Sequence, residues 1–111
     1  MANPASRAAL IVLGTMRWGE CERSGDEWAD FLAAAHAMGI RRLHSSSEYE
    51  SFPLVCAALA TLRVRRPDIA FGHVVKLADP HFGETGFDAE RLAGGVEAYR
   101  KALGTGCIDD V

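Results

Sequence analysis

Short apolar runs alternate with helix-like segments along this chain, and that alternation limits the possible folds more than any other feature of the sequence. The first run covers residues 8–13 and stops at Gly14, as a strand buried on both faces would. Two further runs cover residues 40–43 and 69–75, and a fourth opens at residues 106–111. The predicted order is therefore strand and helix three times, followed by a fourth strand.

The segments between these runs have apolar residues at helical spacing and carry their own start and stop signals. Ser24 and Glu27 have the spacing of a capping box at the start of the first helix. Pro53 falls in the first turn of the second helix, where proline is tolerated. The predicted caps and stops are, in chain order, Ser24 and Gly39, Ser51 and Pro67, and Asp88 and Gly104.

Composition and charge exclude several classes of protein. The chain has 111 residues, of which 49% are hydrophobic and 24% charged, so we expect one globular domain over residues 1–111. Its net charge of −3 offers no basic surface for nucleic acid or an anionic membrane, and no apolar run is long enough to span a bilayer. The three cysteines have no CxxC spacing, which indicates a reduced, cytoplasmic location.

Alternating strands and helices predict βαβ units with a parallel sheet and right-handed crossovers. Two α/β architectures fit that pattern, an open doubly wound sheet and the first part of a (β/α)8 barrel. An open sheet that binds a dinucleotide would need a G-x-G-x-x-G loop after its first strand. The loop here reads LGTMRWGE and lacks that spacing, which favours the barrel, although the alternation alone leaves both architectures open.

Polar side chains are concentrated where the predicted strands end. Gly14 and Thr15 follow the first strand, His44 to Tyr49 follow the second as HSSSEY, and Lys76 follows the third. In a barrel, the loops at the carboxyl ends of the strands converge on one face and carry the functional groups. The sequence therefore predicts one candidate site at that face.

Four ordered stretches of the chain resemble the aldo-keto reductase family. They are LGTMRWG after the first strand, MGIRRLHSSSEY across the second, HVVKL at the third and RKALGTGCIDDV into the fourth. The resemblance covers nearly the whole chain and implies the N-terminal half of a (β/α)8 TIM barrel. It also implies NAD(P)H-dependent reduction of aldehydes or ketones, with NADPH or NADH as the cofactor and a small carbonyl compound as the substrate.

The resemblance implies roles for individual residues as well. The family's motif of aspartate, threonine, alanine, two variable residues and tyrosine falls on residues 44–49, so its tyrosine corresponds to Tyr49 and His44 occupies its aspartate position. The catalytic lysine corresponds to Lys76, and the family's catalytic histidine would lie beyond Val111. The resemblance further implies cofactor contacts for Gly14, Thr15 and Met16, and a substrate contact or a packing role for Trp18.

These residue types suit carbonyl reduction on chemical grounds. A hydride that reaches a carbonyl carbon leaves negative charge on oxygen, which a nearby acid must protonate. A free phenol, with a pKa of about 10, is a poor acid at neutral pH, and a neighbouring ammonium stabilises the phenolate and lowers that pKa. An aspartate would anchor the lysine by a charge-assisted hydrogen bond. Because an imidazole is a weaker anchor, His44 leads us to expect impaired or altered chemistry.

Two interpretations from different classes follow. In the first, the chain is the N-terminal part of a reductase whose later strands lie beyond Val111, and the ending within the predicted fourth strand favours it. In the second, the chain is a non-catalytic half-barrel that serves assembly and self-associates through its open edge, which the His44 substitution favours. No metal site is predicted, because His81 and Asp79 alone do not make one.

Overall fold

A parallel sheet with helices between its strands forms the centre of the fold. The computed structural model describes residues 7–76 and 89–111, together with the backbone of residues 82–83 and 86–87. No helix among these residues combines the length and the apolar character needed to cross a membrane. The elements in chain order are β1 (Val12–Gly14), α1 (Gly25–Ala37), β2 (Arg42–Ser45), α2 (Phe52–Arg65), β3 (Gly72–Val75), β4 (Phe82–Gly83), β5 (Gly86–Phe87) and α3 (Ala89–Leu103).

The three parallel strands lie side by side in the order in which they occur along the chain. β1 pairs with β2, and β2 pairs with β3. One further parallel bridge joins Val74 to Asp110, so the segment after α3 lies beside β3. Because each crossover moves the chain by one strand in the same direction, right-handed connections place the helices on one face of the sheet. The predicted α/β class with a parallel sheet is confirmed at this level.

The two faces of the sheet differ in burial, and the register shows which residues share a face. Leu43 and His73 lie side by side on β2 and β3, are 0% and 4% exposed, and belong to the face that packs against the helices. Gly14, His44 and Val74 form the next row and belong to the opposite face, because alternate residues of a strand point to opposite sides. We call the face that carries Gly14, His44 and Val74 the open face.

Local signals account for both ends of α1 and for the end of α3, whereas Asp88, the predicted cap of α3, lies outside the described residues. The Glu27 amide donates to the Ser24 hydroxyl at 3.1 Å, and the Ser24 amide donates to the Glu27 carboxylate at 3.3 Å, which is the predicted capping box. Gly39 after α1 has a φ of 101°, and Gly104 after α3 has a φ of 68°. Glycine adopts these angles without a steric cost, so both predicted stops are confirmed.

The hydrophobic core lies between the helices and the covered face of the sheet. Burial of each large apolar side chain in such a core contributes about 1.5–3 kcal/mol to folding. The core brings together residues of all three helices and of the strand regions: Trp18, Trp28, Ala29, Leu32, Leu43, Val55, Ala58, Leu59, Leu62, Ile69, Phe71, Val75, Tyr99 and Leu103.

The first strand is shorter and less buried than the sequence predicted. Residues 7–8 are helical and residues 9–10 form a turn, so β1 begins only at Val12. Leu10, Ile11 and Val12 are 77%, 51% and 37% exposed. The prediction of a strand buried on both faces was wrong because β1 pairs only with β2 among the described residues and the helices cover one side of the sheet.

The predicted fourth strand is present only as the single bridge at Asp110. The amides of Asp109 and Asp110 both donate to the carbonyl oxygen of His73, at 2.9 and 3.2 Å, and the His73 amide donates to the Asp109 carboxylate at 2.6 Å. Two successive amides that share one carbonyl interrupt the even spacing of a parallel ladder. The stretch predicted as a loop before the third helix contains the antiparallel pair β4 and β5.

The three cysteines are free thiols and differ in accessibility. Cys21 and Cys107 are exposed, whereas Cys56 is half-buried. Burial raises the pKa of the Cys56 thiol, and the positive charge of Arg63 opposes that shift. Because the thiolate is the reactive form of cysteine, Cys56 is the less reactive kind of thiol at neutral pH.

His73 is an ionisable side chain within the core. It is 4% exposed and lines a cavity of about 80 Å³ beside Leu59 and Leu62. Its Nδ1 has no hydrogen-bond partner within the part of the chain that the structure describes. Burial lowers the pKa of His73, the Asp109 carboxylate opposes this shift, and the Arg63 guanidinium adds to it. The folded protein therefore favours a neutral imidazole at this position.

We expect the stability of the protein to decrease as the pH falls below about 6.5, the ordinary pKa of histidine. In that range the unfolded chain binds a proton that the folded chain takes up only at lower pH. The free energy of unfolding then falls by up to about 1.4 kcal/mol per pH unit. Urea unfolding between about pH 7.5 and 5.5 measures this slope, and His73→Leu should remove most of it. An unchanged slope in His73→Leu would mean that other groups cause it.

Candidate functional site

The carboxyl ends of β1, β2 and β3 bring the predicted site residues to one edge of the sheet. Gly14 pairs with His44, and His44 pairs with Val74. One step further along, the Lys76 amide donates to the Ser45 carbonyl oxygen at 2.9 Å, which extends the contact between β2 and β3. The loop after β2 and the chain after β3 therefore start next to each other.

His44 and Tyr49 approach each other at this edge. Their ring centroids are 6.1 Å apart and their planes are inclined by 50°. A turn after β2 produces this approach, because the Tyr49 amide donates to the Ser46 carbonyl oxygen at 3.1 Å and the Phe52 amide donates to the Tyr49 carbonyl oxygen at 3.0 Å. The half-buried Tyr49 ring thus lies beside the open face to which His44 belongs.

Lys76 directly follows β3 at the same edge of the sheet, and strand alternation predicts the face toward which it points. Val74 lies on the open face, and the alternation of a strand gives Lys76, two residues later, the same direction. The Lys76 side chain is exposed, and among the described residues no hydrogen bond joins its ammonium to the Tyr49 hydroxyl. The segments that carry His44, Tyr49 and Lys76 therefore start at one edge of the sheet, and the roles predicted for these residues stay predictions.

The three residues with predicted cofactor contacts differ in accessibility. A Cβ built on the exposed Gly14 would meet no atom within 4 Å, and Met16 is 59% exposed. Thr15 is 0% exposed, and its hydroxyl donates to the His44 carbonyl oxygen at 2.8 Å. Gly14 and Met16 are accessible, whereas Thr15 braces the loop after β1 against β2. The cofactor contacts themselves stay predictions.

The serines that follow β2 hold its loop in place. The Ser51 hydroxyl donates to the Thr15 carbonyl oxygen at 2.8 Å, and the Glu48 amide donates to the Ser46 hydroxyl at 3.2 Å. Ser51 is the N-cap residue of α2, as predicted, but its side chain makes no capping hydrogen bond. Ser51 has helical backbone angles, φ −75° and ψ −10°, whereas a capping residue is usually extended. These buried hydroxyls fix the loop from inside the fold.

Tyr99 belongs to this edge, although the sequence indicated only a place in the apolar stripe of the third helix. Its hydroxyl lies 2.7 Å from the Ser47 amide nitrogen, 3.0 Å from the Ser47 hydroxyl and 2.8 Å from the Lys76 carbonyl oxygen. The side chain is 4% exposed. The one signal available from the sequence was chemical: a buried tyrosine hydroxyl usually finds a hydrogen-bond partner.

Trp18, for which a substrate contact or a packing role is implied, lies in the core. It is 5% exposed and stacks on Trp28 with centroids 4.1 Å apart and planes inclined by 2°. Phe31 meets the Trp18 ring edge to face, with centroids 6.2 Å apart. This geometry supports the packing role. The substrate contact stays a prediction.

Among the residues that the structure describes, no group of three or more His, Cys, Asp or Glu side chains could hold a metal ion. The pair His81 and Asp79, which the sequence analysis judged insufficient for a metal site, lies outside the described residues.

Comparisons with known proteins do not identify a relative of this chain. No model of a protein family matches it, and no curated protein or solved structure does so either. Membership of the aldo-keto reductase family therefore stays a prediction, and the candidate site rests on the geometry described above.

Proposed function

We propose that this chain forms the first part of a (β/α)8 barrel and supplies the proton-transfer residues of an NAD(P)H-dependent reductase of aldehydes or ketones. The observation that carries the proposal is that the loop with His44 and Tyr49 and the segment that begins at Lys76 meet at the carboxyl edge of β2 and β3. The consecutive strand order supports the barrel, because a doubly wound sheet reverses its strand order and has helices on both faces.

In this proposal Tyr49 is the acid and Lys76 supports it. A bound reduced nicotinamide would be the hydride source, and the hydride would leave negative charge on the carbonyl oxygen of the substrate. The phenol of Tyr49 gives its proton to that oxygen, which leaves an alcohol and a phenolate. The Lys76 ammonium stabilises the phenolate, and water returns the proton after the product leaves. Gly14, where an added Cβ would meet no atom within 4 Å, is one of the residues that would contact the nicotinamide.

His44 occupies the position where the family resemblance implies an aspartate. A neutral imidazole accepts one hydrogen bond from an ammonium, whereas a carboxylate forms a charge-assisted one. We therefore expect Lys76 to be poorly oriented by His44. Orientation matters because a displacement of about 1 Å lowers the reaction rate on the order of 10²-fold.

We expect His44→Asp to raise kcat for NADPH-linked reduction of a small aldehyde by roughly tenfold to 10²-fold. The assay uses the protein expressed from its own gene. His44→Asn is the matched control, since it has nearly the size of aspartate without the charge and should give little gain. A rate for His44→Asp no higher than that for His44→Asn would count against the anchoring role of a carboxylate at this position.

A second candidate function, assembly of identical chains, is favoured by one observation. Leu10, Ile11 and Val12 expose apolar surface beside the outer edge of β1, and an unpaired strand edge is a template for pairing with another chain. Sedimentation of the same preparation separates the two candidates. A stable dimer without NADPH-linked reduction would support assembly, whereas reduction that is lost in Tyr49→Phe would support the reductase.

A further inference from the structure

We propose that Tyr99 is a positioning residue, which fixes the separation between the loop that carries Tyr49 and the strand end that carries Lys76. Its catalytic consequence rests on the proposed function, whereas its effect on the two segments is a property of the fold alone. One buried hydroxyl group contacts both segments at once.

The contacts of the Tyr99 hydroxyl have defined directions. A carbonyl oxygen can only accept a hydrogen bond, so the phenol donates its proton to the Lys76 carbonyl oxygen at 2.8 Å. The phenol oxygen then accepts from the Ser47 amide at 2.7 Å and from the Ser47 hydroxyl at 3.0 Å. The single proton and both lone pairs of the phenol are used, and each bond ends on one of the two segments.

Helix α3 gives this link a rigid base. The Tyr99 side chain is 4% exposed, and Leu103, one turn later, is 2% exposed. The Tyr99 ring meets Phe52 edge to face, with centroids 5.6 Å apart and planes inclined by 86°. Because Phe52 is the first residue of α2, the ring packs against the far end of the same loop that the hydroxyl holds near its start.

Loss of the hydroxyl would release both proposed catalytic segments. Tyr49 lies two residues after Ser47, and Lys76 itself provides the accepting carbonyl. Without the phenol oxygen, the Ser47 amide and the Lys76 carbonyl lose a partner, and part-buried polar groups left unpaired tend to move toward water. The separation of Tyr49 and Lys76 would then vary, while the core around the ring stays filled.

Hydrogen exchange of single amides tests the positioning itself. Tyr99→Phe keeps the ring and removes only the oxygen, so we expect the Ser47 amide to exchange roughly tenfold faster or more through local opening. Leu103→Val is the matched control, because it loosens the same helix without touching the hydroxyl. Equal acceleration of Ser47 exchange in the two variants would overturn the proposal.

Kinetics test the consequence for the reaction. We expect Tyr99→Phe to lower kcat for NADPH-linked aldehyde reduction by roughly tenfold to 10²-fold, with little change in the KM for NADPH, and Leu103→Val to leave kcat unchanged. A fall in kcat of the same size in Leu103→Val would overturn the positioning role. If the unsubstituted protein reduces no carbonyl compound, the reductase proposal fails, and the exchange rates alone support or overturn the positioning by Tyr99.

Discussion

Tyr49→Phe is expected to lower kcat for NADPH-linked reduction of an aldehyde by roughly 10²-fold to 10⁴-fold, the usual contribution of a general acid. The substitution removes one oxygen and leaves the ring beside His44. The Tyr49 hydroxyl has no hydrogen-bond partner among the described residues, so the free energy of unfolding should change by less than about 0.5 kcal/mol. Steady-state kinetics and urea unfolding of the same preparation measure the two effects.

The second of the two tyrosines in the chain provides the control for stability. Tyr99→Phe likewise removes a phenol oxygen, but from a buried position with three polar contacts. We expect this variant to lose about 1–3 kcal/mol of the free energy of unfolding. The two variants therefore differ in stability: Tyr49→Phe loses activity and keeps its stability, whereas Tyr99→Phe loses stability together with part of its activity. A Tyr49→Phe variant that reduces the aldehyde at the unsubstituted rate would rule out Tyr49 as the acid.

Trp18→Ala is expected to cost about 3–5 kcal/mol of stability, as truncation of a large core aromatic does. The Trp18 ring stacks on Trp28 at 4.1 Å and meets Phe31 edge to face. Its removal leaves a cavity and ends both ring contacts. Since the free energy of unfolding of a domain of this size is roughly 5–15 kcal/mol, the variant should unfold at a markedly lower urea concentration.

Phe31→Ala is the control for this cluster. Phe31 contacts the same two indole rings but is 43% exposed. Because its truncation removes less buried apolar area, we expect the free energy of unfolding to fall by about 1 kcal/mol. A Trp18→Ala variant as stable as Phe31→Ala would show that the Trp18 ring is not held in the core. That result would favour the substrate contact implied by the family resemblance.

The helix ends were the part of the fold that the sequence predicted best, because their causes are local. The Ser24 and Glu27 capping box needs only four residues of chain, and the stops at Gly39 and Gly104 need only a residue that tolerates a positive φ. The strands were placed less accurately, since their ends depend on pairing. The second strand was expected at residues 40–43 and lies at Arg42–Ser45.

The candidate site was predictable in outline and not in its internal contacts. Parallel strands bring their carboxyl ends together, so the meeting of the segments after β2 and β3 followed from the alternation of strands and helices. The bonds of Ser51 to Thr15 and of Tyr99 to Lys76 join residues 36 and 23 positions apart. No local pattern encodes contacts of that kind, which depend on how a helix packs over the sheet.

The central claim is that the phenol of Tyr49 and the ammonium of Lys76 act as one unit. A double-mutant cycle on kcat/KM for NADPH-linked aldehyde reduction, with Tyr49→Phe, Lys76→Met and the combined variant, tests it most directly. We expect the combined variant to lose little more than the more damaging single substitution, because groups that act together are strongly non-additive. Losses that multiply, or equal rates in all four proteins, would contradict the claim.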